Sequence, residues 1–378
     1  MIPLSIPNLA GNEWQYVKEC LDTGWVSSAG KFVNIFEDRL REYTAAGNTV
    51  ACMNGTAALH IAQVLSGVGP GDLVVAPNIT FVATLNSISY TGAEAVLLDT
   101  DPATWQLDLD VLEKFFVEEC SLSDRGLLHK ADGKVIKAVM PVHVLGNMCD
   151  MDRLTELCIR FRAPIIEDST EALGSTFNGR HAGTFGRFGT SSFNGNKIIT
   201  TGGGGMIFTN DDELAAKAKH LTTTAKTDPM DYFHDEVGYN YRLVNILAAV
   251  GAAQMEQLSG ILAAKKTMDA FYRRELAGVG DIRFQTITPG VNPNCWLFTF
   301  RTARMRELLT YLNENGVQSR PFWTPMNQLP MFAAYRYYHQ RDESSKLHAE
   351  AISIPSSSNL TPEQLATVVA TIKQFYTT

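Results

Sequence analysis

Seven short apolar runs, separated by stretches of helical periodicity, constrain the fold of this chain more than any other feature. They are Thr49–Met53, Leu73–Ala76, Ala95–Asp99, Val135–Val142, Pro164–Glu167, Thr190–Phe193 and Gly205–Thr209. Runs that are apolar on both faces, with helices between them, read as a mainly parallel sheet covered on two sides. Gly69-Pro70-Gly71-Asp72 and Gly92 supply the turns. Upstream, residues 1–30 read as an irregular arm with one helix near Glu13–Leu21, followed by Phe32, Phe36, Leu40 and Tyr43 at helical spacing. Downstream, a helical pattern from about Leu243 to Leu276 is long enough to join two domains. A strand at Cys295–Arg301, a helix at Ala303–Asn315 and a last helix from about Pro362 follow. The 378 residues therefore divide into an N-terminal arm (1–30), a large α/β domain (31–250) and a smaller α+β C-terminal domain (251–378).

Several function classes are disfavoured. The net charge is −8, which argues against sequence-independent nucleic-acid binding, since that needs clustered Lys and Arg to displace counterions. An anionic small substrate stays open, because a local site can be positive on an acidic protein. The six cysteines (Cys20, Cys52, Cys120, Cys149, Cys158 and Cys295) form no CxxC pair and read as reduced buried thiols, with no metal site expected. No basic start leads into an apolar core at the N-terminus, and no uncharged apolar run has the length of a membrane span, so a cytoplasmic protein away from membranes is expected.

Four local features carry chemistry. Asn54-Gly55-Thr56-Ala57-Ala58 follows a strand and opens a helix. A helix start offers free N–H groups to an anion and glycine lets it approach, although many helices begin this way only to be capped. Ile165-Ile166-Glu167-Asp168-Ser169-Thr170-Glu171 ends an apolar strand in carboxylates, at the edge where open α/β sheets bind ligands. A carboxylate there can pair with a cationic ring nitrogen, bind metal or cap the next helix. Ser191 to Lys197, followed by Gly202 to Gly205, places one lysine between a polar turn and a glycine run. It is no Walker loop, and a lysine in a tight, partly apolar site can lose its proton and act as a nucleophile. Gly238-Tyr239-Asn240-Tyr241-Arg242 mixes polar and aromatic residues before the long helix.

Taken in order, these features resemble the DegT/DnrJ-type sugar aminotransferases, which are fold-type I pyridoxal-phosphate enzymes. Asn54-Gly55-Thr56-Ala57-Ala58-Leu59, Pro141-Val142-His143-Val144-Leu145-Gly146, Glu167-Asp168-x-x-Glu171, Ser192-Phe193-x-x-x-Lys197 and Gly238-Tyr239-Asn240-Tyr241-Arg242 each match a motif of that family. The resemblance spans nearly the whole chain. It implies an aspartate-aminotransferase-like fold whose large domain holds a seven-stranded, mainly parallel sheet. It also implies roles. Lys197 holds pyridoxal 5'-phosphate as a Schiff base and moves the proton. Asp168 pairs with the ring nitrogen, and Phe81 in Pro77-x-x-Thr80-Phe81 stacks on the ring. Gly55, Thr56 and Ser192 hold the phosphate, while Asn240 reaches the phosphate of a neighbouring subunit, so a homodimer with shared sites is implied. Glu171, where the family often has Gln, faces the ring hydroxyl. A carboxylate there favours keeping a proton between the two oxygens.

The opening Pro3-Leu4-Ser5-Ile6-Pro7-Asn8 and Gly24-Trp25-Val26-Ser27-Ser28-Ala29-Gly30 resemble the aminotransferases of legionaminic acid and bacillosamine pathways. That implies transfer of the amino group of L-glutamate to carbon 4 of a UDP-linked 4-keto-6-deoxy-N-acetylhexosamine. Trp25, Ser27, Ser28, Lys226, Arg320 and Trp323 resemble residues that line the sugar-nucleotide site. The rivals are an aminotransferase for another keto-sugar (dTDP- or GDP-linked, 3-keto, or a nucleotide-free octulosonate) and a regulator that keeps the fold without the reaction. Lys197, Asp168 and Ser192 together speak against the regulator, and a Rossmann dehydrogenase would need a GxGxxG after the first strand.

Overall fold

The structure, a computed structural model, describes residues 1–228 and 230–377. The seven apolar runs form β1 (Asn48–Cys52), β2 (Leu73–Pro77), β3 (Glu94–Leu98), β4 (Val135–Val139), β5 (Ile166–Asp168), β6 (Phe188–Ser192) and β7 (Gly205–Thr209). Their spatial order is β3-β2-β4-β5-β6-β7-β1. Parallel ladders join β2 to β3 and to β4. Parallel bridges Val139↔Ile165 and Val142↔Asp168 carry the sheet from β4 to β5. β5 and β6 are parallel, whereas β7 runs antiparallel to β6 and to β1. Every residue of β2 and β7 is buried, as strands covered on both faces require.

One face carries the helices Gly55–Leu65 and Ala83–Tyr90, packed on Val74, Ala76, Leu97 and Ile207. Near the other, Phe32, Phe36 and Leu40 of the Lys31–Thr44 helix pack with Phe193, Ala248 and Ala252. The long helix runs Asn245–Leu276. Its first half belongs to that cluster, while Met268, Tyr272 and Leu276 belong to a second core with Phe300, Leu308, Ile352 and Ile372. This helix is apolar and long enough to cross a bilayer by composition, yet 44% of its most apolar window is buried inside the protein. The C-terminal region builds an antiparallel sheet in the order Arg283–Phe284, Thr299–Arg301, Ala351–Ser353, Arg320–Pro321.

Three departures from the sequence reading touch these two sheets. A hairpin, Cys120–Ser123 with Gly126–His129, adds to the start of β4. Arg336–Tyr338, from the C-terminal part of the chain, pairs in parallel with β3 (Arg336↔Val96). The strand expected from Cys295 begins only at Thr299. Cys295 sits at φ 55, the left-handed region, where a ladder cannot start.

Candidate active site

Three of the four chemistry-bearing motifs converge where β1, β5 and β6 end, against the C-terminal part of the chain. A cavity of about 640 Å³ opens there. Asn54 leaves β1 in an extended conformation and caps the next helix by accepting a hydrogen bond from Ala57 N at 2.8 Å. Its carbonyl accepts from Ala58 N, so Gly55 and Thr56 supply the remaining N–H donors of the helix end. A Cβ on Gly55 would lie 2.9 Å from Ser192 Cβ and 3.1 Å from Thr170 Cγ2. The space between the helix end and Ser192 therefore exists only because residue 55 is glycine. Gly205 at the start of β7 does the same from below, since its Cβ would fall 2.3 Å from the Asn54 carbonyl oxygen. The result is an anion cradle of N–H groups at a helix N-terminus.

Two of the strand-end carboxylates enter the cavity and one does not. Glu167 is fully buried beneath it, accepting from His143 Nε2 (2.9 Å) and from the N–H groups of Gly183, Phe185 and Gly186. Asp168 lines the cavity. Its Oδ2 accepts from the Thr84 hydroxyl at 2.7 Å, and its Oδ1 from Thr170 Oγ1 at 2.7 Å and Thr170 N at 3.2 Å. Thr84 is itself paired with the Thr80 hydroxyl at 2.7 Å. Glu171 lines the cavity too, and its Oε2 accepts from Leu145 N at 2.9 Å. Leu145, in the Pro141–Gly146 motif, is held at φ 61. Burial pushes the Glu171 carboxyl up to about 7; Lys197 and the Leu145 N–H pull it down, while Asp168 pushes it up.

Lys197 closes the turn that leaves β6. Its N–H donates to the Asn194 carbonyl, and the turn is pinned by Phe193 N to Gly204 O and Thr201 N to Phe193 O. Its side chain faces the cavity, with Nζ 4.3 Å from the centroid of the Trp296 ring. Burial holds its ammonium below the usual lysine range, with Glu171 and Asp168 acting in the opposite direction. An amine biased toward its neutral form is what a lysine nucleophile and proton carrier needs. The C-terminal part of the chain supplies Trp296, Arg320, Phe322, Trp323 and Ser353 to the lining.

Of the residues expected from sequence, Gly55, Thr56, Phe81, Asp168, Glu171, Ser192, Lys197, Arg320 and Trp323 line this one cavity. Phe81 is half exposed, as a ring-stacking residue facing an open cavity would be. Trp25, Ser27, Ser28, Lys226 and Asn240 do not line it. Trp25 and Ser27 are tied by their carbonyls to Asn245 at the start of the long helix. Lys226 lies over the Tyr232 ring, and Asn240 is exposed. Sequence reasoning missed Thr84, Thr170 and Trp296. Thr84 follows Thr80 by one helical turn, and Thr170 lies inside the strand-end motif, so both could have been found by asking what satisfies a buried carboxylate. Trp296 carries no such signal.

The donor set fits pyridoxal phosphate. The helix-end cradle with Ser192 suits a phosphate, and Asp168 suits a protonated ring nitrogen. Glu171 suits a ring hydroxyl, and Lys197 an aldehyde carbon. Comparison with known proteins agrees. The family model for DegT/DnrJ/EryC1/StrS aminotransferases matches residues 7–373. The chain is 38% identical to the GDP-perosamine synthase of Caulobacter vibrioides over 99% of its own length and 98% of that protein's. It is 34% identical to the GDP-perosamine synthase of Vibrio cholerae over 100% and 99% of the two lengths. Its structure superposes on the aminotransferase TlmJ from Streptoalloteichus hindustanus with a TM-score of 0.89 at 27% identity, covering 99% and 98% of the two chains. Cradle, paired acids and buried lysine, in this order along a chain matched almost end to end, establish that it belongs to the DegT/DnrJ/EryC1/StrS aminotransferase family and uses pyridoxal phosphate.

Proposed function

We propose that this nucleotide-sugar aminotransferase moves the amino group of L-glutamate to carbon 4 of a UDP-linked 4-keto-6-deoxy-N-acetylhexosamine. The observation that carries the aminotransfer is one cavity lined by a lysine and two acids, with Arg320 and Trp323 supplied by the C-terminal part of the chain. The choice of a UDP-linked 4-keto sugar rests on the resemblance of residues 3–8 and 24–30. A GDP-linked 4-keto sugar is the second reading, favoured by full-length relatives that are GDP-perosamine synthases.

Bound pyridoxal phosphate supplies the electron sink and carries the amino group between two half-reactions. The chain's own groups do the rest. Lys197 Nζ takes the proton from Cα of glutamate, which leaves as 2-oxoglutarate, and later delivers a proton to carbon 4 of the sugar. Asp168, fixed by two threonine hydroxyls, keeps a proton on the ring nitrogen. Arg320 meets the diphosphate by charge and Trp323 packs on the substrate. Asn240 acts in this proposal across a homodimer, on the phosphate in the partner's cavity, while Trp25, Ser27, Ser28 and Lys226 contact the sugar nucleotide as the resemblance implies. The reaction is cytoplasmic, where glutamate and nucleotide sugars are both at hand.

The test is the absorption spectrum of the protein with pyridoxal phosphate, before and after L-glutamate. Wild type is expected to show a band near roughly 410–430 nm that moves to about 330 nm with glutamate, and Lys197→Ala to lack it. The glutamate-treated protein is then offered UDP- and GDP-linked 4-keto sugars, and recovery of the first band identifies the acceptor. An identical band in Lys197→Ala would remove the lysine assignment. Recovery with the GDP sugar alone would replace the UDP reading with the second one.

A further inference from the structure

Lys265 is buried in the middle of the long helix, away from the solvent that a cation ordinarily seeks. Among the described residues no carboxylate meets it. Its Nζ donates to two backbone carbonyls, Trp296 at 2.8 Å and Ser356. An unpaired buried cation is costly, and an apolar residue would fill the same volume more cheaply. What it holds is therefore informative. Trp296 is itself buried, and its indole N–H donates to the carbonyl of Asn196 at 2.6 Å, one residue before Lys197. Its ring face lies against Lys197 Nζ. Its backbone N–H is taken by Asn294 Oδ1, and Asn294 Nδ2 donates to the carbonyls of Glu171 and Leu173. Ser356, the other acceptor of Lys265, donates its N–H to Leu4 O, and Leu4 lines the cavity. One ammonium thus joins the long helix, the Trp296 segment and the loop that anchors the N-terminal arm.

We propose that Trp296, fixed by Lys265 through its carbonyl, is a positioning residue for Lys197: the indole N–H clamps the lysine turn at Asn196 and the ring face sets where the amine sits in the cavity. The proposal rests on Lys197 being the cofactor lysine. A misplacement of about 1 Å costs up to about a hundredfold in rate where geometry is tight, so the clamp acts on rate and not on occupancy of the cavity.

The experiment compares two probes on apoprotein. Pyridoxal phosphate is captured covalently only if the lysine amine is in place, whereas pyridoxamine phosphate fills the same cavity without needing the lysine. Trp296→Phe keeps a ring and loses the clamp, and Trp296→Leu loses both. The expected result is graded: capture rate and kcat for glutamate fall by about threefold in the Phe variant and about tenfold or more in the Leu variant. Pyridoxamine phosphate affinity and KM are expected to stay within about twofold of wild type. Lys265→Met, which leaves Trp296 in the chain, is expected to fall between the two and carries the test should either Trp296 variant fail to fold. Wild-type capture in all folded variants would overturn the proposal. So would a parallel loss of pyridoxamine phosphate binding, the mark of a structural role alone. Capture by Lys197→Ala at the wild-type rate would instead remove the lysine assignment beneath it.

Discussion

Replacing Glu171 with Gln isolates what burial does to one carboxyl. Glu171 titrates near 7 in the folded protein against an ordinary 4.5, chiefly because it is buried. Between those two values the folded chain holds the proton and the unfolded chain has released it. Stability is therefore lost as pH rises through this window. At about 1.36 kcal/mol per pH unit, the accumulated loss is about 3 kcal/mol at about pH 8 and under about 1 kcal/mol at about pH 5. Glutamine has no proton to lose, and its amide oxygen can still accept from Leu145 N, so the native contact survives. The Lys197 ammonium loses a favourable neighbour in the variant, which makes about 3 kcal/mol a ceiling. The assay is urea unfolding of apoprotein at the two pH values. The Gln variant is expected to match wild type within about 1 kcal/mol at the lower pH and to exceed it by up to about 3 at the higher. An advantage that is the same at both pH values, or a wild type that is the more stable at high pH, would refute the reasoning.

Other perturbations act on single links of the site. Gly55→Ala places a methyl against Ser192 and Thr170, both on fixed elements. Overpacking of about 1–3 kcal/mol is expected to lower pyridoxamine phosphate affinity by about tenfold or more in a binding titration. Thr84→Val keeps the shape and removes one hydroxyl from Asp168 Oδ2. Apoprotein stability is expected to fall by about 1.5–3 kcal/mol in urea unfolding, the range for a hydrogen bond to a charged group, and an unchanged midpoint would mean that the hydroxyl is dispensable.

The large sheet was legible because burial on both faces leaves a run with no polar period, and seven such runs became seven strands. The elements that escaped are those lacking this mark. Arg336–Tyr338 is only half-buried along its length, and the Cys120–His129 hairpin alternates too briefly to stand out from a loop. Within the site, motifs at the ends of β1, β5 and β6 were visible because polar residues follow apolar runs abruptly. Trp296 was not, since a tryptophan in an apolar segment reads as core until its neighbours are known. Pair partners were beyond reach for the same reason: Thr84 precedes Asp168 by 84 positions, and spacing along the chain says nothing about that contact. Arg320 and Trp323 were reached only through resemblance, as no periodicity marks a residue that lines a cavity from a distant part of the chain.

Three acids within five residues of one strand end show why residue type alone cannot assign chemistry. Glu167 receives three backbone N–H groups and His143, enough to satisfy both oxygens of a buried carboxylate, so it serves to tie the 183–186 loop beneath the sheet. Asp168 receives two hydroxyls and one N–H from flanking threonines, which fix its plane while it still lines the cavity. Glu171 receives a single N–H under comparable burial. A buried carboxylate with one donor is poorly stabilised in its charged form, and burial pushes Glu171 up to about 7. The number of donors reaching each acid, rather than its place in the motif, separates the structural clamp from the two acids proposed to meet the ring nitrogen and the ring hydroxyl. The threonine hydroxyls that hold Asp168 and the lone N–H at Glu171 are therefore as much a part of the site as the acids they meet.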